Sequence, residues 1–173
     1  MIEARFLAAL HKIHPHLTTC RAPWVITGSF GMALQGMEIE VHDIDLQTNT
    51  EGAYEIESKL REYVLKPVRY LESERMRSHL GALEIEGIRV EIMGSLQKRL
   101  DEGIWEEPVP VERFRQWLEV EGMQIPVLSL EYEYQAYLKL GRFERAQRIN
   151  EWLKGQCKDS EGKDTSMPLT KTE

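Results

Sequence analysis

Residues 43–48 read Asp-Ile-Asp-Leu-Gln-Thr, and this alternation of polar and apolar side chains constrains the chain more than any other stretch. Successive side chains of a strand point to opposite faces, so Asp43 and Asp45 share one face while Ile44 and Leu46 share the other. The segment reads as a strand with one buried face and two carboxylates on its open side. At roughly 6–7 Å apart, their repulsion is ~2–3 kcal/mol for an effective dielectric of 20. A divalent cation between them offsets it, and Mg²⁺ is commonly held by one or two carboxylates plus the phosphate oxygens of a substrate. Taken alone, the pair fits a solvated strand face equally well, so its neighbours decide.

Two neighbours favour the metal. Trp24-Val25-Ile26-Thr27 is a β-prone run followed directly by Gly28-Ser29, with Ser29 expected to cap a short helix through Leu34 and Gly36 to stop it. A glycine turn entering a helix offers backbone N–H groups to a phosphate, although no Gly-Lys-Ser/Thr follows and this is not a Walker loop. Ile88 to Met93 alternates in the same way, which puts Arg89, Glu91 and Met93 on one face. If that strand lies beside residues 43–48, Glu91 joins Asp43 and Asp45. Three carboxylates around two metal ions suit an in-line displacement at phosphorus, where the metals stabilise the attacking and leaving oxygens.

The rest of the chain supplies the frame. Ile2, Phe6, Leu10 and Ile13 predict an opening amphipathic helix that ends near Pro15. Ala53, Ile56, Leu60 and Val64 give a further helical stripe, and Pro67 begins an extended segment. Hairpins are expected at Glu86-Gly87 and at Glu121-Gly122. Ser129 caps a helix through Leu140, Gly141 breaks it, and Phe143, Ala146, Ile149 and Leu153 stripe a last helix. Residues 95–113 carry no readable pattern. The expected fold is α/β (α+β), a mixed sheet with helices packed against it, in one domain over residues 1–154. The polar, aperiodic residues 155–173 are expected to form a disordered tail.

Composition narrows the partners. A net charge of −7 with scattered basic residues disfavours an extended grip on nucleic acid, whereas a nucleotide needs only a few placed cations. The apolar runs are too short to span a bilayer, and Glu3 and Arg5 interrupt any signal-peptide pattern. Cys20 and Cys157 are the only cysteines, so neither a disulfide framework nor a zinc cluster is indicated and a reducing cytoplasm is the expected location.

With those residues in view, Gly28-Ser29-Phe30-Gly31-Met32-Ala33-Leu34-Gln35-Gly36 followed by His42-Asp43-Ile44-Asp45-Leu46 resembles the signature of the DNA-polymerase-β-like nucleotidyltransferases. The resemblance is to small bacterial members, lincosamide nucleotidyltransferases among them, and it covers about residues 20 to 95. Glu91 falls where that superfamily carries its third acidic residue. The resemblance implies a nucleotidyltransferase fold and Mg²⁺-dependent transfer of a nucleoside monophosphate, by default AMP from ATP, to an acceptor hydroxyl with release of pyrophosphate. Asp43, Asp45 and Glu91 would hold the metal, with Glu91 alternatively taking the acceptor's proton. Leu128 to Lys139 is similar to a helix whose lysine approaches the triphosphate. Relatives often follow that lysine with a Lys-Asp pair, where this chain has Arg142-Phe143-Glu144-Arg145.

Several groups stay open at this level. Arg75 and Arg77 either bind triphosphate or pair with Glu72 and Glu74. His42 either contacts the nucleotide or bonds backbone. His11, His14 and His16 read as surface residues, because Pro15 interrupts them and no further ligand accompanies them. Trp105, Trp117 and Trp152 read as packing residues. The expected acceptor is a small hydroxylated molecule, and an open cleft completed by a second copy makes a homodimer an option. A toxin-like enzyme acting on tRNA or protein, and a non-catalytic nucleotide-binding domain, are the alternatives.

Overall fold

The computed structural model describes residues 2–161, with side chains through residue 156. Helix α1 (Ala4–Leu17) leads to β1 (Trp24–Thr27), α2 (Gly28–Leu34) and β2 (Ile44–Thr48). Helix α3 (Thr50–Lys59) and a 3-10 turn (Arg61–Tyr63) precede β3 (Val64–Glu72), β4 (Met76–Ile85) and β5 (Ile88–Lys98). The short α4 (Val111–Phe114), the β6 (Arg115–Val120) and β7 (Met123–Leu128) hairpin, α5 (Leu130–Lys139) and α6 (Phe143–Glu161) complete the order. The strands form one seven-stranded mixed sheet in the order β3-β4-β5-β2-β1-β7-β6.

Alternation in β2 and β5 explains the layering. Ile44, Leu46, Val90 and Ile92 pack on one side against Phe6, Leu10 and Ile13 of α1 and Ala53 and Ile56 of α3. Full burial of each such side chain contributes roughly 1.5–3 kcal/mol, and together they fix the register of both strands. A second cluster joins Met32 and Met37 to Leu130, Tyr137, Ala146 and Ile149, so α5 and α6 are anchored to the far end of α2. Both expected hairpins form: Glu86 (φ 54°) with Gly87 (φ 71°), and Glu121 (φ 48°) with Gly122 (φ 79°), place two left-handed residues at each tip, as two-residue turns require. The Ser129 hydroxyl accepts from Tyr132 N and caps α5.

Several expectations are corrected. Helix α1 runs through Pro15 to Leu17, because the buried Leu17 ties the last turn to the core despite the lost hydrogen bond. Ser29 lies inside α2 rather than capping it; Thr27 holds the cap position and its side chain makes no capping bond. Helix α6 continues over residues 155–161, and the remainder of the expected tail lies outside the described residues. Trp117 is 54% exposed on the edge strand β6, with Arg115 over its ring, and Phe143 is 66% exposed, so neither packs. The open segment after β5 returns by a bridge from Arg99 to Trp105, whose ring lies under the Arg77 and Arg99 guanidinium groups. Trp152 packs with the α5–α6 cluster.

Candidate active site

The polar face of β2 and β5 looks onto a cleft of about 380 Å³ walled on its other side by α5 and α6. Strands β2 and β5 pair in parallel with Asp45 directly opposite Glu91, and Asp45 also faces Thr27 across the antiparallel β1–β2 pair. Neighbouring strands lie about 4.8 Å apart, so the two carboxylates are adjacent because of register alone. Asp43, just before β2, lines the same cleft, as do Gly28, Ser29 and His42. A larger groove of about 780 Å³ opens elsewhere, between the end of α1 and β6, but it contains none of these carboxylates.

Electrostatics marks the trio as crowded. Asp45 is pushed up to about 7, first by burial and then by the charges of Asp43, Glu91 and Glu133. Asp43 is raised by burial and by Glu91. Glu91 leans toward Arg89, whose Nε donates to it at 2.8 Å. Among the described residues no three His, Cys, Asp or Glu side chains are drawn together as a ready metal cage. The donor set is nonetheless all oxygen, unsaturated in positive partners at Asp43 and Asp45, and so fits a hard divalent cation.

Gly28 is dictated by this crowding. Its φ is +67°, and a Cβ there would come within 2.1 Å of Asp45 Oδ2. Only glycine lets the turn lie against the carboxylate. Its N–H is already committed, donating to Glu133 Oε1 at 3.0 Å, while the Thr27 hydroxyl donates to the same oxygen. Glu133 is 5% exposed and burial raises its pKa, opposed by those two hydrogen bonds and by Lys98 and Arg145. Sequence reading missed it, although a signal existed: Glu133 interrupts the buried stripe Leu130, Ala136 and Tyr137 of α5.

The cations of the cleft are not those expected. Arg75, Arg77 and Lys139 are absent from its lining, which instead includes Lys98, Arg142 and Arg145. Arg77 donates to Gln97 Oε1 and sits 3.9 Å from Glu72, Arg75 reaches Leu140 O at 3.5 Å, and Lys139 bonds Glu106 at 2.5 Å. His42 is exposed, 3.9 Å from Glu40. His11 pairs with Glu121 and His14 contacts Gln124 O, in keeping with surface roles. Lys98 enters the cleft through a β-bulge. Arg77 pairs with Gln97 but His79 with Gly94, so β5 spends one residue more than β4, and Ser95 takes a φ of 49°. The extra residue flips the phase, and Glu91 and Met93 are followed on the cleft face by Leu96 and Lys98.

The central parallel pair thus sets Asp45 beside Glu91 against the glycine turn at Gly28. The family described as aminoglycoside-2''-adenylyltransferase matches residues 9–151, and the chain belongs to that family. It is 53% identical to a Thermotoga maritima protein provisionally described as a nucleotidyltransferase, over 90% of this chain and 96% of that one, with a TM-score of 0.79. The fold is shared at 14% identity with the lincosamide antibiotic adenylyltransferase LnuA in its lincomycin-bound form (87% of this chain, 97% of that one, TM-score 0.52). It is shared also with ANT(2'')-Ia in complex with adenylyl-2''-tobramycin, at 14% identity over 86% and 89% of the two chains and a TM-score of 0.55. No curated protein sequence matches. No helix among the described residues is long and apolar enough to cross a membrane.

Proposed function

We propose that this protein transfers AMP from ATP to a hydroxyl group of a small molecule, with Mg²⁺ held by Asp43, Asp45 and Glu91. The observation that carries the reading is the in-register pairing of Asp45 with Glu91, beside Asp43, in a cleft where burial and neighbouring carboxylates raise the pKa of both aspartates. In the reaction the acceptor oxygen attacks the α-phosphorus, a new P–O bond forms, the bond to the bridging oxygen breaks, and pyrophosphate leaves. The bound metal would supply charge stabilisation at the attacking and leaving oxygens. On this reading Glu91, 27% exposed at the cleft, either completes the metal site or receives the acceptor's proton. Gly28 lets the turn lie against Asp45, and Glu133 holds that turn by two hydrogen bonds.

The family description and the charge of the site support a choice of acceptor. A protein of net charge −7 with a carboxylate-rich cleft suits a cationic, polyhydroxylated acceptor such as an amino sugar better than a nucleic acid. The test is pyrophosphate release with Mg²⁺·ATP across a panel of amino sugars, aminoglycosides and lincosamides, with mass spectrometry of the products. An acceptor heavier by one AMP supports the reading. ATP that binds without ever releasing pyrophosphate, or binds equally well with chelator, overturns it.

A further inference from the structure

The next cleft-facing side chain of β2 after Asp45 is Gln47; the bulge at Ser95 brings Lys98 of β5 into the same lining, and α5 contributes Tyr132. The chemistry derived above uses none of the three. We propose that they form the subsite for the terminal phosphates of the nucleotide, with Lys98 as its cation and the Gln47 amide as its neutral donor. The inference rests on the nucleotidyl-transfer reading, and it assigns the leaving pyrophosphate to residues other than the Arg75, Arg77 and Lys139 expected from sequence.

Lys98 carries most of the argument. Only 3% of its side chain is exposed, and a lysine is rarely buried without a strong partner. Its partners here are loose: the Tyr132 hydroxyl at 3.2 Å and Glu106 Oε2 at 3.7 Å, the latter well beyond the roughly 2.7–2.9 Å of a direct charged hydrogen bond. Glu106 meanwhile holds Lys139 at 2.5 Å. Lys98 can therefore turn to a phosphate oxygen while Glu106 keeps a cation. Lys98 lines the same cleft as Glu133, the residue bonded to Gly28 N at the turn beside Asp45.

Gln47 is the second, independent observation. It is 3% exposed, and its Nε2 is the one buried side-chain polar atom without a hydrogen-bond partner among the described residues. An unpaired buried donor is costly, and nothing holds the amide, so rotation about its last torsion can turn it to a ligand oxygen. A cation and a neutral donor lining one cleft suit an oxygen-rich anion that spans them. Arg142 and Arg145 face them from the other wall, so an anion would be bracketed within a cleft whose carboxylates otherwise repel it.

The experiment is calorimetric titration in Mg²⁺ of wild type, Lys98→Met and Gln47→Leu with ATP, tripolyphosphate and AMP. Lys98→Met should weaken ATP and tripolyphosphate by about 10–100-fold and Gln47→Leu by about 3–10-fold, while AMP binds each protein alike. Lys98→Arg should recover part of the loss. Gln47→Leu carries the test if Lys98→Met does not fold. Equal ATP affinity in wild type and the folded variants overturns the subsite alone. An equal loss for AMP and ATP assigns Lys98 and Gln47 a structural role and also overturns it. Wild type that binds no nucleotide in Mg²⁺ removes the nucleotidyl-transfer reading and the subsite together.

Discussion

Replacing Asp45 by asparagine is expected to make the protein more stable above neutral pH when divalent ions are absent. The folded state raises the carboxyl from its usual 3.8 to about 7, with burial as the largest cause and Asp43 and Glu91 next. Folding thus favours the protonated form. Below pH ~4 both folded and unfolded chains carry the proton and the group contributes nothing to the pH dependence. Between pH ~4 and ~7 the unfolded chain releases its proton while the folded one retains it, and stability falls with rising pH. Above ~7 the loss is complete, at most roughly 4 kcal/mol for about three pKa units at 1.36 kcal/mol each. Asparagine removes the charge but still buries an amide, so about half of that, ~2 kcal/mol, should be recovered. For a chain of this size, ~2 kcal/mol corresponds to about 4–8 °C in melting temperature. Thermal melts in EDTA should show Asp45→Asn above wild type at pH 8 and the two nearly equal at pH 4. Saturating Mg²⁺ should reverse the order at pH 8, because only wild type retains the full site. A difference that does not vary between pH 4 and 8, or a variant less stable than wild type at pH 8, would refute the reasoning.

Three further outcomes follow from the same geometry. Glu91→Gln should keep most of its affinity for Mg²⁺·ATP in a binding titration while pyrophosphate release falls by about 10²–10⁴-fold; turnover equal to wild type would remove Glu91 from the reaction. Gly28→Ala, which adds a Cβ 2.1 Å from Asp45 Oδ2 at a φ of +67°, should lose ~1–3 kcal/mol in denaturant unfolding and displace Asp45 from the cleft. Glu133→Ala leaves the Thr27 hydroxyl and Gly28 N unpaired in a buried place, at a cost of about 2–4 kcal/mol, and the amide of Gly28 should exchange with solvent faster.

What sequence could reveal was the local part of the design. Strand alternation at 43–48 and 88–93, the hairpin tips at Glu86-Gly87 and Glu121-Gly122, and the cap at Ser129 depend on nearby residues, and each stands in the structure. Pro15 misled because tertiary burial of Leu17 outweighs a local helix breaker. The cations misled for a different reason. Which way Lys98 points depends on one extra residue at Ser95, and strict alternation counted from Glu91 puts Lys98 on the wrong face. Lys139 is turned away by Glu106, which belongs to the segment that offered no pattern. Glu133 could have been suspected as a charge within a buried stripe, but its partners Thr27 and Gly28 are distant in the chain.

Parallel pairing of β2 with β5 has a consequence before the protein is ever complete. The partner strand arrives only after α3 and the β3–β4 hairpin have been made, so on a ribosome β2 waits with one edge open. An open edge is a template for any passing strand, in this chain or in another. The two aspartates make β2 a poor template, because a stray partner would have to bury like charges without a cation to separate them. Asp45 within β2, and Asp43 just before it, are charges of the kind that guard such an edge.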